Sequence, residues 1–294
     1  MVGSANMDIV FTVERIPQPG ETLLARSVAT YPGGKGLNQA VAASRAGAAT
    51  TFIGALGTDD HGDELAATMT DAGIDRSLVR RSPAPTGQAF IVVSASGENT
   101  IIVASGANAG VTELTDAERA AVTGAAVLLM QLELPMELVL EAARTAKAAG
   151  TTVMLNAAPA RELPDELIST IDYLMVNEHE ACLVGGSEDV AEASRRLASR
   201  VGSVIVTLGA EGSVLYDDGV ELARVPARRV TAVDTTGAGD TYCGAFAAAI
   251  AEGQGLEAAV VFATAAAALS VQALGAVPSI PSRDRIEAML AEPQ

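Results

Sequence analysis

Along the chain, short apolar runs alternate with longer stretches in which apolar residues recur every three or four positions. Runs at 51–56, 126–131, 152–155, 173–176, 204–208 and 213–216 have the length and composition of buried strands. Between them, residues 36–46, 61–72, 136–149, 190–199, 238–251 and 256–274 carry helical periodicity. Strand-then-helix alternation predicts an α/β fold, a mainly parallel sheet with helices on both faces. The pattern is interrupted twice. Residues 9–31 and 86–104 show polar/apolar alternation broken by Pro and Gly, with no helix between. Two such segments can pair into a small separate sheet, a lid over a pocket. They can equally be edge strands of the main sheet, and periodicity leaves both open. No internal repeat or low-complexity linker divides the chain, so residues 1–294 are read as one domain with a lid at about 9–31 and 86–104.

Composition narrows the function classes. Hydrophobic residues make up 49% and charged residues 19%, which suits a well-cored globular protein. A net charge of −17 argues against nucleic acid and anionic membrane surfaces, both of which select Lys and Arg. Small anionic substrates then need a local basic or backbone-amide site. No run of about 18 apolar residues is free of polar breaks, so no membrane span is expected. The N-terminus shows no basic region followed by an apolar core, so no signal peptide is expected. Cys182 and Cys243 are too few for a disulfide framework or zinc cluster, and His61 and His179 lack metal-ligand spacing to either. The expected setting is the cytoplasm, with free thiols.

Residues 234–240 read Asp-Thr-Thr-Gly-Ala-Gly-Asp and run directly into the apolar helix. Gly237, Ala238 and Gly239 allow a tight turn that aims N–H groups at one point, and the helix dipole adds positive potential there. Asp240 is a poor choice for plain anion binding. It makes sense as a base that takes a proton from a hydroxyl attacking the bound anion. The same residues also fit an ordinary helix start.

Residues 31–39 form a second Gly-rich segment, in which Gly34 frees the backbone while Lys35 and Asn38 supply polar contacts. The full G-x-x-x-x-G-K-S/T phosphate loop is absent, because Leu37 and Asn38 follow the Lys-Gly pair. Asn6 and Asp8 are spaced to point to one side of a strand and can grip a diol, or serve as turn residues. Asn177, Glu180, Thr207 and Glu133 fall at the C-terminal ends of predicted strands, where open parallel sheets bind ligands. Gly209 and Gly212 allow a tight turn against a flat ligand, or a simple hairpin.

In this order, these segments resemble the ribokinase family of sugar kinases, over essentially the whole chain. The resemblance implies that Asp240 is the general base, with Gly237, Ala238 and Gly239 as the anion hole. It places the sugar on Asn6, Asp8, Gly34, Lys35, Asn38 and Glu133. It assigns ATP to Asn177, Thr207, Gly209 and Gly212, with Thr264 near the adenine, and Mg²⁺ to Glu180 and the phosphates. A monovalent cation, usually K⁺, is implied at Asp234 and Thr236 and at Ser270, Ala273, Gly275 and Ser279. Family members commonly form a homodimer through the lid sheet. Segments 3–8, 130–133 and 156–167 are similar to the ribose-phosphorylating members, which implies D-ribose as acceptor.

Kinases of the same family acting on deoxyribose, fructose or a nucleoside remain alternatives, as does a silent sugar- or nucleotide-binding protein. Phe 5, Tyr 4 and no Trp leave little to stack on a nucleobase, although Phe11 and Phe90 lie in the lid segments. The absence of G-x-G-x-x-G argues against a dinucleotide enzyme. Three departures stand out. Only Met1 and Val2 precede Gly3, where the family usually has a hydrophobic strand; a start assigned too late, a trimmed chain or a shortened strand all fit, and loss of most of that strand is expected to loosen Asn6 and Asp8. Leu37 replaces a smaller residue, and Val176 stands where the family often has Pro.

Overall fold

A computed structural model of the chain describes residues 1–292. The predicted alternation yields a six-stranded sheet in the spatial order Val220–Val225, Ser213–Asp217, Ser203–Thr207, Tyr173–Asn177, Thr152–Asn156, Val127–Met130. The last four run parallel, and the first two add an antiparallel hairpin at one edge. Near-continuous Val, Leu, Ile and Met runs make sense here because both faces are covered. Leu128, Val153, Leu174, Val204 and Val214 enter one core with helix Met136–Ala149. Their neighbours Leu129, Met154, Met175, Ile205 and Leu215 enter the other, against Phe246 and Phe262. The period of two thus divides each strand between two helical layers.

Beyond Val127–Met130 the sheet continues through one residue. Val2 bridges in parallel to Met130 on one side and Ile53 on the other, and Gly54–Gly57 then pairs with Val79–Ser82. Val2 N–H donates to Leu129 O at 3.1 Å and Gly3 N–H to Ile53 O at 3.1 Å. The strand before Gly3 is therefore short, but the expected loosening of Asn6 and Asp8 does not follow. Both belong to Asn6–Thr12, which is hydrogen-bonded on each side along its whole length. Below Val2 lies a cleft of about 450 Å³ lined by Met1, Thr51, Val127 and Ala248, with no charged side chain. There the terminal ammonium donates to Thr51 O at 2.9 Å, and burial lowers its pKa to about 6.

Segments 9–31 and 86–104 pair with each other, not with the main sheet. They form a four-stranded sheet ordered Ser27–Gly33, Asn6–Thr12, Gly87–Val93, Asn99–Ala104. Its outer strands expose Val28, Ile101, Ile102 and Val103. Two boundaries move from expectation. The helix predicted to 274 ends at Ser270, where Val271 O turns to accept from Val233 and Asp234 N–H. The strand expected from 51 begins at Gly54, Thr51 keeping one bridge to Asp75. Helix Asp116–Gly124 went unpredicted, although Thr115 and Glu118 spell a capping box at its start.

Helices Lys35–Arg45 and Ala238–Ala251 touch backbone to backbone at Gly244. A Cβ there would run into Gln39 O and lie 2.5 Å from Ala42 Cβ. Gly244→Ala is expected to destabilise by about 1–3 kcal/mol, since overpacking must be relieved by moving one helix. Thermal unfolding should show a Tm lower by several degrees, with kcat reduced because both helices carry polar groups of the site described next.

Candidate active site

Helix Ala238–Ala251 begins at Gly237, whose left-handed backbone (φ 74°) admits a side chain only with strain, and a Cβ would sit 2.9 Å from Ala276 Cβ. Ala238, expected in the anion hole, donates its N–H to Thr235 O at 3.2 Å, so its amide is engaged within the turn. Among the described residues the amides of Gly237, Gly239 and Asp240 have no such partner, and these three are the N–H groups left to meet an anion. Asp240 follows in the first helical turn, buried, at the wall of a cavity of about 150 Å³. Lys35, Asn177, Glu180, Thr207, Gly237 and Gly239 line the same cavity.

Asn6 and Asp8 project from one strand of the small sheet, beside the loop that carries Gly34 and Lys35. The backbone N–H of Lys35 donates to Glu133 Oε2 at 3.1 Å, and Ser4 Oγ donates to the same oxygen at 2.5 Å. Gly34 adopts φ 87°, and a Cβ there would lie 2.7 Å from Asn6 N. Asn38 Nδ2 donates to Asp240 Oδ2 at 3.0 Å. Carboxylates thus crowd one corner. Burial, then the charges of Glu133 and Asp240, push Asp8 up to about 7, with Lys35 opposing. For Lys35, burial pulls downward, but Asp240, Glu133 and Glu180 outweigh it and hold the ammonium above its ordinary range.

At the opposite end, Asn177 caps helix Glu178–Gly185. Its Oδ1 accepts from Glu180 N–H, and Glu180 Oε2 accepts from Asn177 N–H, both at 2.8 Å. That capping box fixes Glu180 at the cavity wall, where burial raises its pKa despite Asn177 and Lys35. Thr207 ends its strand in the same wall. Gly209 and Gly212 lie behind it in the hairpin leading to Ser213, Gly212 at φ 103° beneath Val225 and Pro226. Thr264 does not reach the cavity. Its hydroxyl donates to Val260 O at 2.8 Å, next to the buried Tyr242–Ser213 hydrogen bond.

Behind the Gly237 turn, Asp234 Oδ1 accepts from Thr236 N–H at 2.9 Å and Thr236 Oγ1 at 2.6 Å. Its Oδ2 accepts from Gly275 N–H at 2.8 Å, which joins the 234–236 and 270–279 segments. Burial raises its pKa, but these bonds outweigh it and leave the carboxyl below its usual range. Ser270 and Ser279 hydroxyls donate to Ala267 O and Ala276 O, which leaves their oxygen lone pairs open, and the Ser270 carbonyl accepts from Ala273 N–H at 3.3 Å. One carboxylate among hydroxyl and carbonyl oxygens is a hard, singly charged donor set. Among the described residues no three His, Cys, Asp or Glu gather as a metal cluster.

Several members of the site carried no separate sequence signal. Asn108 Nδ2 donates to Asn6 Oδ1 at 2.8 Å, which turns the Asn6 amide so that its N–H groups point away. Gln39 and Gln131 lie buried behind Asp240, and Asn156, also buried, lines the cavity beside it. Cys243, one turn after Asp240, also lines the cavity. Burial and the neighbouring Asp240 and Glu180 keep it a neutral thiol.

A family model described as pfkB family carbohydrate kinase matches residues 1–283. A Staphylococcus aureus ribokinase is 40% identical over 97% of this chain and 97% of its own length. A Salmonella typhi deoxyribokinase is 33% identical over 99% of this chain and 98% of its own. The structure of Arabidopsis thaliana ribokinase complexed with ribose and ATP superposes with a TM-score of 0.93 at 37% identity, covering 99% of this chain and 98% of that one. These likenesses span the glycine loop, the strand-end residues and the Gly237–Asp240 turn together, and the chain belongs to the pfkB family of carbohydrate kinases.

Proposed function

We propose that the protein is a ribokinase, transferring the γ-phosphoryl group of ATP to the 5-hydroxyl of D-ribose. One observation carries this reading: Asp240 stands between a polar corner fit for a diol and a turn of free amides fit for a phosphoryl group. Asp8 and Asn6 hold sugar hydroxyls, Asp8 as acceptor and Asn6 as donor, with Glu133 fixing the Lys35 loop against them. Asp240 takes the proton of the 5-hydroxyl. The ribose oxygen then bonds to the γ-phosphorus, and the bond from that phosphorus to the β,γ-bridging oxygen breaks to release ADP. Gly237, Gly239 and Asp240 N–H groups meet charge on the transferring oxygens, and Lys35 adds a fixed positive charge.

Asn177, Thr207 and the Gly209–Gly212 turn bound the nucleotide side, with Thr264 supporting that wall from beneath. Glu180 fits a Mg²⁺ ion carried on the phosphates, reached through water, and that ion would neutralise their charge. The Asp234 set fits K⁺, bracing the turn from behind without touching substrate. Strands Ser27–Gly33 and Asn99–Ala104, with their exposed apolar residues, form a lid that also pairs two chains into a homodimer. Cys182 and Cys243 are free thiols, suited to the cytoplasm. Among the described residues no helix is long and apolar enough to cross a membrane.

The test is ADP formation with Mg²⁺ and K⁺ across ribose, deoxyribose, fructose and adenosine. Ribose is expected to lead by kcat/KM, and a lead for deoxyribose would keep the mechanism and change the acceptor. Replacing K⁺ with a large organic cation should lower turnover, and an unchanged rate would remove the cation from the scheme.

A further inference from the structure

We propose that Gln39 is a positioning residue for Asp240, holding the carboxylate from outside the cavity through a relay of buried amides. Gln39 Nε2 donates to Asp240 Oδ1 at 2.8 Å, while Asn38 Nδ2 takes the other oxygen at 3.0 Å. Consecutive residues on one helix thus grip the two oxygens of one carboxylate. Both are buried and neither lines the cavity, Asn38 at 6% and Gln39 at 0% exposed, with Asn38 one residue nearer the Gly34–Lys35 turn.

The Gln39 amide has one allowed orientation. Its Nε2 also donates to Asn156 Oδ1 at 3.0 Å, and Asn156 in turn donates its own Nδ2 to Met175 O at 3.2 Å. Its Oε1 accepts from Gln131 Nε2 at 2.5 Å. Turning the amide over would set a nitrogen against a nitrogen at Gln131 and an oxygen against both Asn156 and Asp240. Gln131 Oε1 itself has no partner among the described residues, so its amide is aligned for Gln39 and not for its own satisfaction. Backbone anchors on two strands of the main sheet therefore fix where one Asp240 oxygen lies. A donor-only contact leaves the remaining lone pairs of the carboxylate to face the hydroxyl.

This role rests on the reading of Asp240 as base, and the experiment separates the two. Gln39→Met keeps length and volume and removes the donor. It is expected to lower kcat by about 10–100-fold, the range for a hydrogen bond to a charged group, with KM for ribose and ATP within about threefold. In an Asp240→Asn background, assayed at high enzyme concentration, the same substitution should cost no more than about twofold, because coupled residues are not additive. An equal fold loss in both backgrounds, a KM raised as much as kcat falls, or wild-type kcat would overturn the role. Turnover retained by Asp240→Asn alone would remove the base, and this role with it. Should Gln39→Met not fold, Gln131→Met is read instead. It should lower kcat several-fold with KM for ribose and ATP within about threefold, and an unchanged kcat counts against the relay.

Discussion

Asp240→Asn is expected to lower kcat by about 10²–10⁴-fold, the usual contribution of a positioned general base, while KM for ATP and ribose changes by less than about threefold. The substitution removes the proton acceptor and little else. Asparagine keeps the shape of the side chain, and its Oδ1 can still accept from Gln39 Nε2. The other terminus would be an N–H₂ facing Asn38 Nδ2, an unfavourable pair of donors. The conflict has a local remedy, because Asn38 Oδ1 has no partner among the described residues. Rotating the Asn38 amide by half a turn offers that oxygen to the new donor. Folding should therefore survive, with Tm within a few degrees of wild type and nucleotide affinity unchanged by calorimetry. A variant with wild-type kcat would place the base elsewhere and undo the proposed chemistry.

Asp240 was legible in the sequence because its surroundings are local. Gly237 and Gly239 lie within three positions, and the helix whose N-terminus they shape is the next segment. The same holds for Lys35 and Asn38. Gln39 was not legible, because its meaning is made by a carboxylate 201 positions away and an amide 117 positions away. On sequence alone it is one polar residue among Leu37, Ala40 and Val41. Asn108 likewise gains its role only where Ala5 and Asn6 arrive from 103 and 102 positions off. Sheet membership followed the same division. Short apolar runs marked the strands of the main sheet, but the alternation in 9–31 and 86–104 did not say that Asn6–Thr12 pairs in parallel with Gly87–Val93. That choice depends on chain topology, and the alternating segments fit an edge position equally well. The Ala238 amide shows a finer limit: composition marks a tight turn, and only geometry shows that its N–H donates to Thr235 O.

Asp8→Ala is expected to raise KM for ribose by about 100-fold, as two hydrogen bonds from sugar hydroxyls to a charged acceptor are lost, with KM for ATP within about threefold. Equal effects on both substrates would refute the assignment of Asp8 to the sugar. The pH dependence sharpens the prediction. In the free protein Asp8 is pushed up to about 7 by burial and by Glu133 and Asp240, so acidification fills the acceptor with a proton near neutrality. In wild type, kcat/KM for ribose should therefore fall as pH drops below about 7, and Asp8→Ala should lack that limb. Stability carries the opposite sign. A carboxyl whose folded pKa lies above its unfolded value of 3.8 binds more protons when folded, so ionising it destabilises the fold as pH rises from about 4 to 7. Asp8→Ala should accordingly raise Tm at pH 8 relative to pH 5, while ribose should stabilise wild type at pH 8 by giving the ionised oxygens their donors. Loss of sugar affinity together with a gain in ligand-free stability is the signature of a carboxylate held in an unfavourable place for binding. A residue that merely braced the strand would lose both.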